Sequence, residues 1–272
     1  MANLTAQQVY KELVEGIKKF SKDSGVKKAV IGLSGGIDCA VVAAAAVKAL
    51  GNKNVYGVSI PTKFTSKDSL SLAKKLAKNL NIDFKVVNID KPFEDIVKSL
   101  GGEKKLKKLT IQNIQPRLRS NVLMAVSSEV GGVVLATGNR TEITQGYFTL
   151  YGDSCGALAP LAMLYKEMVY KVAAYINKDK EVIPALTITR APTAELAHGQ
   201  KDEDELVPYK TLDKILHLYL DKKMTPAQIA KKLNIKIATV KEVEGRYKRN
   251  IFKTLQTAPV LKLSAACPVD LQ

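Results

Sequence analysis

The sequence predicts an α/β protein: one domain over residues 1–272, built on a doubly wound, mostly parallel sheet, with a mainly helical portion from about residue 208. Three observations carry that expectation. An apolar run at Val30-Ile31 leads into Ser34-Gly35-Gly36-Ile37-Asp38 and then into an alanine-rich helix from Cys39 to about Leu50. The residues that follow alternate short β-branched runs with helical periods, as parallel strands joined by crossover helices require. The second half of the chain is mostly helical in its periodicity.

The elements follow in order. Asn54–Pro61 is an apolar run with β-branched residues, a strand. Ser66–Leu80 places Leu70, Leu72, Ala73, Leu76, Ala77 and Leu80 largely on one helical face, and Asp83–Ile89 alternates as a strand. A helix from Pro92 to about Leu100, a lysine-rich turn at Gly101–Lys108, a long helix starting near Pro116 and a strand at Gly132–Thr137 complete the pattern. Further on, Lys166–Asn177 has an apolar face of Met168, Val169, Val172, Ala173 and Ile176. Pro208–Leu220 and Pro226–Leu233 each begin with proline, a good first-turn residue. Ala194–Glu205 is long, polar and aperiodic, the composition of a lid or of a solvated loop.

Parallel sheets bind ligands beyond the carboxyl ends of their strands. Ser34–Cys39 and Thr137–Glu142 both follow strands and so should share that rim. The first reads as a pyrophosphate loop, because adjacent glycines let backbone N–H groups approach an oxyanion and the helix behind them adds its positive end. Asp38 repels phosphate directly, so its natural task is to hold a magnesium ion shared with phosphate oxygens. There is no G-x-x-x-x-G-K-[ST] and no G-x-G-x-x-G, which argues against a P-loop NTPase and a Rossmann dinucleotide site.

Ser34-Gly35-Gly36-Ile37-Asp38 resembles the Ser-Gly-Gly-x-Asp-Ser loop of the N-type ATP pyrophosphatases, which cleave ATP between its α- and β-phosphates. A second constellation is Thr137-Gly138-Asn139-Arg140-Thr141-Glu142 followed by Gly146-Tyr147-Phe148-Thr149-Leu150-Tyr151-Gly152-Asp153. Together the two resemble the signature of the NAD synthetases. The resemblance continues through Ala159-Pro160-Leu161, Lys166, Ala191-Pro192-Thr193, Gln200–Leu206 and Phe252-Lys253 to Pro259–Ser264, covering about Tyr10 to Ser264.

What the resemblance implies is an adenine nucleotide alpha hydrolase-like fold and a ligase that joins ammonia to the nicotinate carboxylate of deamido-NAD. That carboxylate attacks the α-phosphorus of ATP, pyrophosphate leaves, and ammonia converts the acyl-adenylate to amide and AMP. Position by position, Gly32, Leu33, Ser34, Gly35, Gly36, Ile37, Asp38 and Cys39 would form the ATP loop. Asp38 and Glu142 would be the magnesium ligands, Thr137 and Thr193 would contact ATP, and Lys166 would reach its phosphates. Asp38, Glu142 and Lys166 form the implied catalytic set. Arg117 would hold deamido-NAD, together with Leu150, Ala157 and Lys262. The family commonly has serine at Cys39, lysine at Leu150 and aspartate at Ala157, and the last two departures concern the grip on the pyridine end, not the ATP chemistry. The family's deamido-NAD site lies at a subunit interface, so the resemblance also implies a homodimer.

Composition sets the outer limits. At 272 residues and 46% hydrophobic content the chain can bury a sizeable core. It holds no run of about eighteen apolar residues and no basic-then-apolar start, so neither a membrane span nor a signal peptide is expected, and the cytoplasm is the expected compartment. Cys39, Cys155 and Cys267 are too scattered for a zinc site or a disulfide framework. The net charge of +16 suits a nucleotide enzyme and a nucleic-acid binder alike. Glutamine-using synthetases carry a further glutaminase domain, whereas the synthetase resemblance takes up these residues, and only His198 and His217 are present for acid–base work. Free ammonia, from solution or from a partner glutaminase, is therefore the expected donor.

Two rivals remain at this stage. A tRNA-modifying N-type pyrophosphatase would explain the charge, although the sulfur-moving members rely on paired cysteines that the spacing does not provide. A DNA-binding regulator would use Thr225–Asn250 as a helix-turn-helix with a basic second helix, against the plainer reading of a helical hairpin covering the core. No specific nucleic acid is expected.

Overall fold

A computed structural model of the chain describes residues 4–193, 195–197 and 206–264. Helix α1 (Ala6–Ser24) opens with a capping box, in which the Thr5 hydroxyl accepts from the Gln8 backbone N–H and the Gln8 side chain returns to Thr5. Four strands follow: β1 (Ala29–Gly32), β2 (Val55–Ser59), β3 (Asp83–Val86) and β4 (Val133–Val134). All are parallel, in the order β3-β2-β1-β4. The doubly wound α/β class expected from the sequence is the one observed.

Alternation along β1 decides what each face meets. Ala29 and Ile31 point into a layer formed by α1, α2 (Ile37–Leu50) and α3 (Lys67–Leu80), whereas Val30 points to the other side. Helix α2 is buried nearly all round from Ile37 to Ala46, and its alanines let α1 and the sheet approach closely. The opposite face is covered by α5 (Lys108–Val130), through Leu118, Val122, Leu123, Val126 and Val130.

Helix α4 (Asp90–Ser99) precedes α5 and explains one departure from expectation. The proline rule places the start of the long helix near Pro116, yet α5 begins eight residues earlier and carries Pro116 inside it. Ile111, Ile114 and Leu118 pack on Phe93 and Val97 of α4, and this burial on both sides of the proline outweighs one missing backbone bond.

The rest of the chain is helical: α6 (Arg140–Gln145), α7 (Lys166–Ile176), α8 (Ala185–Thr189), α9 (Tyr209–Leu216), α10 (Pro226–Leu233) and α11 (Ile237–Thr254). The helix expected over Pro208–Leu220 stops its α geometry at Leu216 and continues as a π-helical turn, His217–Asp221. Leu212, Leu216, Ile229, Val240 and Val243 form a second, smaller apolar cluster around Tyr165, the residue before α7. Of the lid expected over Ala194–Glu205, residue 194 and residues 198–205 lie outside the described residues, as does Cys267. Among the described residues no helix is long and apolar enough to cross a membrane.

Candidate active site

The strand order reverses at β1, whose neighbours are β2 on one side and β4 on the other. That reversal opens a crevice at the carboxyl ends of the strands, and both motif loops fall there. The loop after β1 is fixed by local bonds: Leu33 N–H donates to the Val58 carbonyl at 2.8 Å, Gly36 N–H to Ser34 Oγ at 3.2 Å, and Cys39 Sγ to the Gly36 carbonyl at 3.1 Å. Gly35 sits at φ +80°, and a Cβ there would collide with the Ser69 backbone at the start of α3. Burial pushes the Cys39 thiol up, outweighing the helix N-terminus and its hydrogen bonds, so the group is a neutral thiol.

The loop after β4 leads into α6, where Asn139 and Glu142 form a reciprocal capping box. The Asn139 side chain also reaches across the crevice, its Nδ2 donating to Asp38 Oδ1 at 2.9 Å. Between the two carboxylates lies Lys166, the first residue of α7 and only 2% exposed. Its Nζ donates to Asp38 Oδ2 at 2.6 Å and to Glu142 Oε1 at 3.0 Å. Burial alone disfavours its charge, but the two carboxylates outweigh that and raise its pKa, so it remains an ammonium.

An open cavity of about 800 Å³ lies over this centre. Its wall includes Gly32, Leu33, Ser34, Gly36, Ile37, Asp38, Thr137, Glu142, Lys166 and Thr193 of the expected residues. Gly35 and Cys39 support the loop from behind. Arg117, Leu150, Ala157 and Lys262 do not line the cavity. Exposed Arg117 donates from Nε to the Leu150 carbonyl at 3.1 Å, Ala157 is held through its backbone to Val134, and exposed Lys262 follows Leu261, which packs on α1.

Sequence reasoning passed over several wall residues. Arg246, Arg249, Asn250 and Lys253 recur at helical spacing on α11, so the helix read as a basic DNA-binding element turns this face to the cavity and packs on α6. Lys253 Nζ donates to the carbonyls of Gly146 and Phe148 at 2.8 and 2.9 Å. Gln112 lines the cavity with a buried Nε2 that has no hydrogen-bond partner, a donor available to a ligand.

Behind the centre, Asp221 accepts from both Arg140 nitrogens, from the Tyr165 hydroxyl at 3.0 Å and lies 2.8 Å from His217 Nδ1. His217 is thus packed, as its apolar helix face suggests. Burial alone would raise the Asp221 pKa, but the hydrogen bonds of His217, Arg140 and Tyr165 hold it at about 2. Because the folded value is depressed, its contribution to stability is present above about pH 4 and is lost as pH falls toward 2. Asp221→Asn should flatten that acid limb, measured as unfolding free energy between pH 2 and 5. An acid limb identical to wild type would contradict the assignment.

Two oxygen-bearing carboxylates that converge on one ammonium offer hard donors for a magnesium ion completed by phosphate oxygens and water, so Asp38 and Glu142 fit the metal expected there. Among the described residues there is no cluster of three or more His, Cys, Asp or Glu that would hold a metal unaided.

Known proteins match this arrangement along the chain. The profile of the NAD synthase family matches residues 9–257. A glutamine-dependent NAD(+) synthetase of Thermotoga maritima is 39% identical over 262 residues, 95% of this chain and 45% of that protein. An NH(3)-dependent NAD(+) synthetase of Pyrococcus horikoshii is 38% identical over 245 residues, 90% of this chain and 92% of that protein. Among solved structures, an NMN synthetase from Francisella tularensis, 27% identical, superposes with a TM-score of 0.80 and covers 97% of this chain and 98% of that one. The chain spans about half the length of the glutamine-dependent relatives it matches. The matched span contains both motif loops, Lys166 and the helices behind them, and the chain belongs to the NAD synthase family.

Proposed function

We propose that this cavity uses ATP to activate the nicotinate carboxylate of deamido-NAD and then amidates it with ammonia. The observation that carries the reading is Lys166 Nζ, held between Asp38 and Glu142 beside a two-glycine loop at a helix start. An ammonium buried there is placed to neutralise charge where phosphates meet the loop.

The geometry supports the following roles. Backbone N–H groups of Ser34–Ile37 and the N-terminus of α2 bind the phosphates, with Thr137 and Thr193 on the same wall. Asp38 and Glu142 would hold a magnesium ion, which would supply charge neutralisation to the phosphates. The substrate carboxylate attacks the α-phosphorus, and the bond to the β-phosphate's bridging oxygen breaks with its electron pair leaving on pyrophosphate. Lys166 balances that departing charge. Ammonia then attacks the acyl carbon, AMP leaves, and the surplus proton passes to solvent. Arg246, Arg249 and Lys253, with the orphan donor of Gln112, offer cationic and polar lining for the second anionic substrate.

Arg117 and Leu150 lie together beside Tyr151, which is 68% exposed, and α5 also exposes Leu109 and Met124. Exposed Tyr151 and Met124, the latter two turns beyond Arg117 on α5, support a homodimer in which that site is completed. Ammonia as donor is supported by the near-complete overlap with the NH(3)-dependent relative. The chain should form NAD from deamido-NAD and MgATP with ammonium salts and very little with ammonia-free glutamine. Equal rates with the two would reject ammonia as its donor.

A second acceptor has one observation in its favour, the superposition on an NMN synthetase. With Leu150 and Ala157 in place of the charged residues common in the family, a nicotinate mononucleotide lacking the adenylate half is the alternative. Pyrophosphate release measured with each acceptor at equal concentration decides between them.

A further inference from the structure

We propose that Asp213 of α9, remote from the cavity wall, is a positioning residue that holds Lys166 and Glu142 in register by tying the starts of α6 and α7 to one carboxylate. The proposal rests on the synthetase reading for its kinetic part and on geometry alone for the rest.

Asp213 is fully buried. One oxygen accepts from the Glu167 backbone N–H at 2.8 Å, and the other accepts from the Thr141 hydroxyl at 2.5 Å. That same hydroxyl accepts from the Lys166 backbone N–H at 3.0 Å. Lys166 and Glu167 open α7, whose N-cap residue Tyr165 gives no side-chain bond. Asp213 therefore does across space what a local cap does in sequence: it satisfies the first donors of α7, one directly and one through Thr141, and sets a negative charge at the positive helix end. Thr141 in turn precedes Glu142 on α6. One carboxylate thus links the two elements whose side chains meet over the phosphate loop.

The same helix supports the lysine from a second side. Tyr209, one turn before Asp213, lies with its ring centroid 5.1 Å from Lys166 Nζ. Helix α9 is in this way coupled to Lys166 at both its backbone N–H, through Thr141, and its ammonium.

Burial raises the Asp213 pKa to about 6, against the pull of its hydrogen bonds from Thr141 and Glu167. The folded protein therefore holds this proton more tightly than the unfolded chain, and the stability this lends below about pH 4 is lost as pH rises through about 6, where the bracing carboxylate forms. A group whose whole purpose was stability would be poorly chosen here. An amide keeps the volume but has one acceptor oxygen: with the Glu167 N–H on it, the Thr141 hydroxyl loses its acceptor and must turn to accept from the amide N–H, so Asp213→Asn removes the charge and weakens the brace.

The test has a part that needs no substrate and a part that does. In Asp213→Asn, amide hydrogen exchange at Lys166 and Glu167 should quicken by about tenfold or more while the melting temperature stays near that of wild type. In pyrophosphate release with MgATP and deamido-NAD, kcat should fall by about 100-fold, with the KM for ATP within about threefold of wild type, as expected when reacting groups are misplaced rather than lost. Thr141→Val should reproduce both effects, Thr141→Ser should restore them, and the double variant Asp213→Asn/Thr141→Val should be no worse than either single. Unchanged exchange in folded Asp213→Asn, a kcat within threefold of wild type, or multiplying effects in the double variant would overturn the brace. If Asp213→Asn does not fold, the valine and serine variants at Thr141 decide by the same criteria. A wild-type chain without turnover rejects the synthetase reading, and the exchange measurement still decides the brace.

Discussion

Glu142→Gln is expected to lower turnover by roughly 10²–10³-fold, the range found when one electrostatic stabiliser is deleted, while the fold stays intact. The fold survives because the capping box needs an acceptor at this position and glutamine supplies one, so the Asn139 backbone N–H keeps its partner. The other oxygen of Glu142 accepts from Lys166 Nζ at 3.0 Å, and the amide nitrogen that replaces it cannot, so that bond goes with the charge. What disappears is one negative charge of the two that flank Lys166, and with it half of the proposed hold on a divalent cation. Circular dichroism and a thermal melt establish the fold, and pyrophosphate release with MgATP and deamido-NAD reads the loss. A folded variant with wild-type turnover would remove Glu142 from the centre.

The parts of this site that sequence makes legible are the parts written in consecutive residues. Strand, Ser34–Asp38 and α2 succeed one another without interruption, and the two glycines with their apolar flanks announce a phosphate loop directly. Glu142 follows Thr137-Gly138-Asn139 in the same way. What sequence does not display is that Asp38 and Lys166, 128 residues apart, share one hydrogen bond. Family resemblance supplies that pairing by naming roles, and physical chemistry explains it only once the sheet has brought both loops to one rim. Asp213 carries little local sign, since its partners lie across the fold, and Asp221 meets His217 one turn away but Arg140 and Tyr165 across the fold. The hint was there in α9, where an acidic residue interrupts the apolar run of Leu212, Ile215 and Leu216. Arg246, Arg249 and Lys253 show the opposite failure: their helical spacing was visible as a basic face, but spacing does not say whether that face meets DNA or a cavity. At Pro116 a sound local rule yields to packing on α4.

Lys166→Met separates the two tasks the lysine performs. The substitution keeps an unbranched chain of similar length and removes the ammonium that bridges Asp38 and Glu142, so turnover should fall at least as far as in Glu142→Gln. Stability should fall by less than the about 3–5 kcal/mol typical of breaking a sealed ion pair, since both carboxylates border an open cavity and can hydrate. The more discriminating expectation concerns metal. Nζ lies between Asp38 Oδ2 and Glu142 Oε1, at 2.6 and 3.0 Å, and so competes with any cation for the same oxygens. Removing it leaves two like charges facing each other, whose repulsion a divalent ion relieves. Magnesium without ATP should therefore bind the variant more tightly than wild type by about tenfold or more, and should raise its melting temperature by more. Calorimetric titration with Mg²⁺ alone reads the first effect, and melts with and without the ion read the second. Equal affinity in the two proteins would mean that Asp38 and Glu142 do not form a metal pair, and the centre would have to be explained by the lysine and the helix start alone.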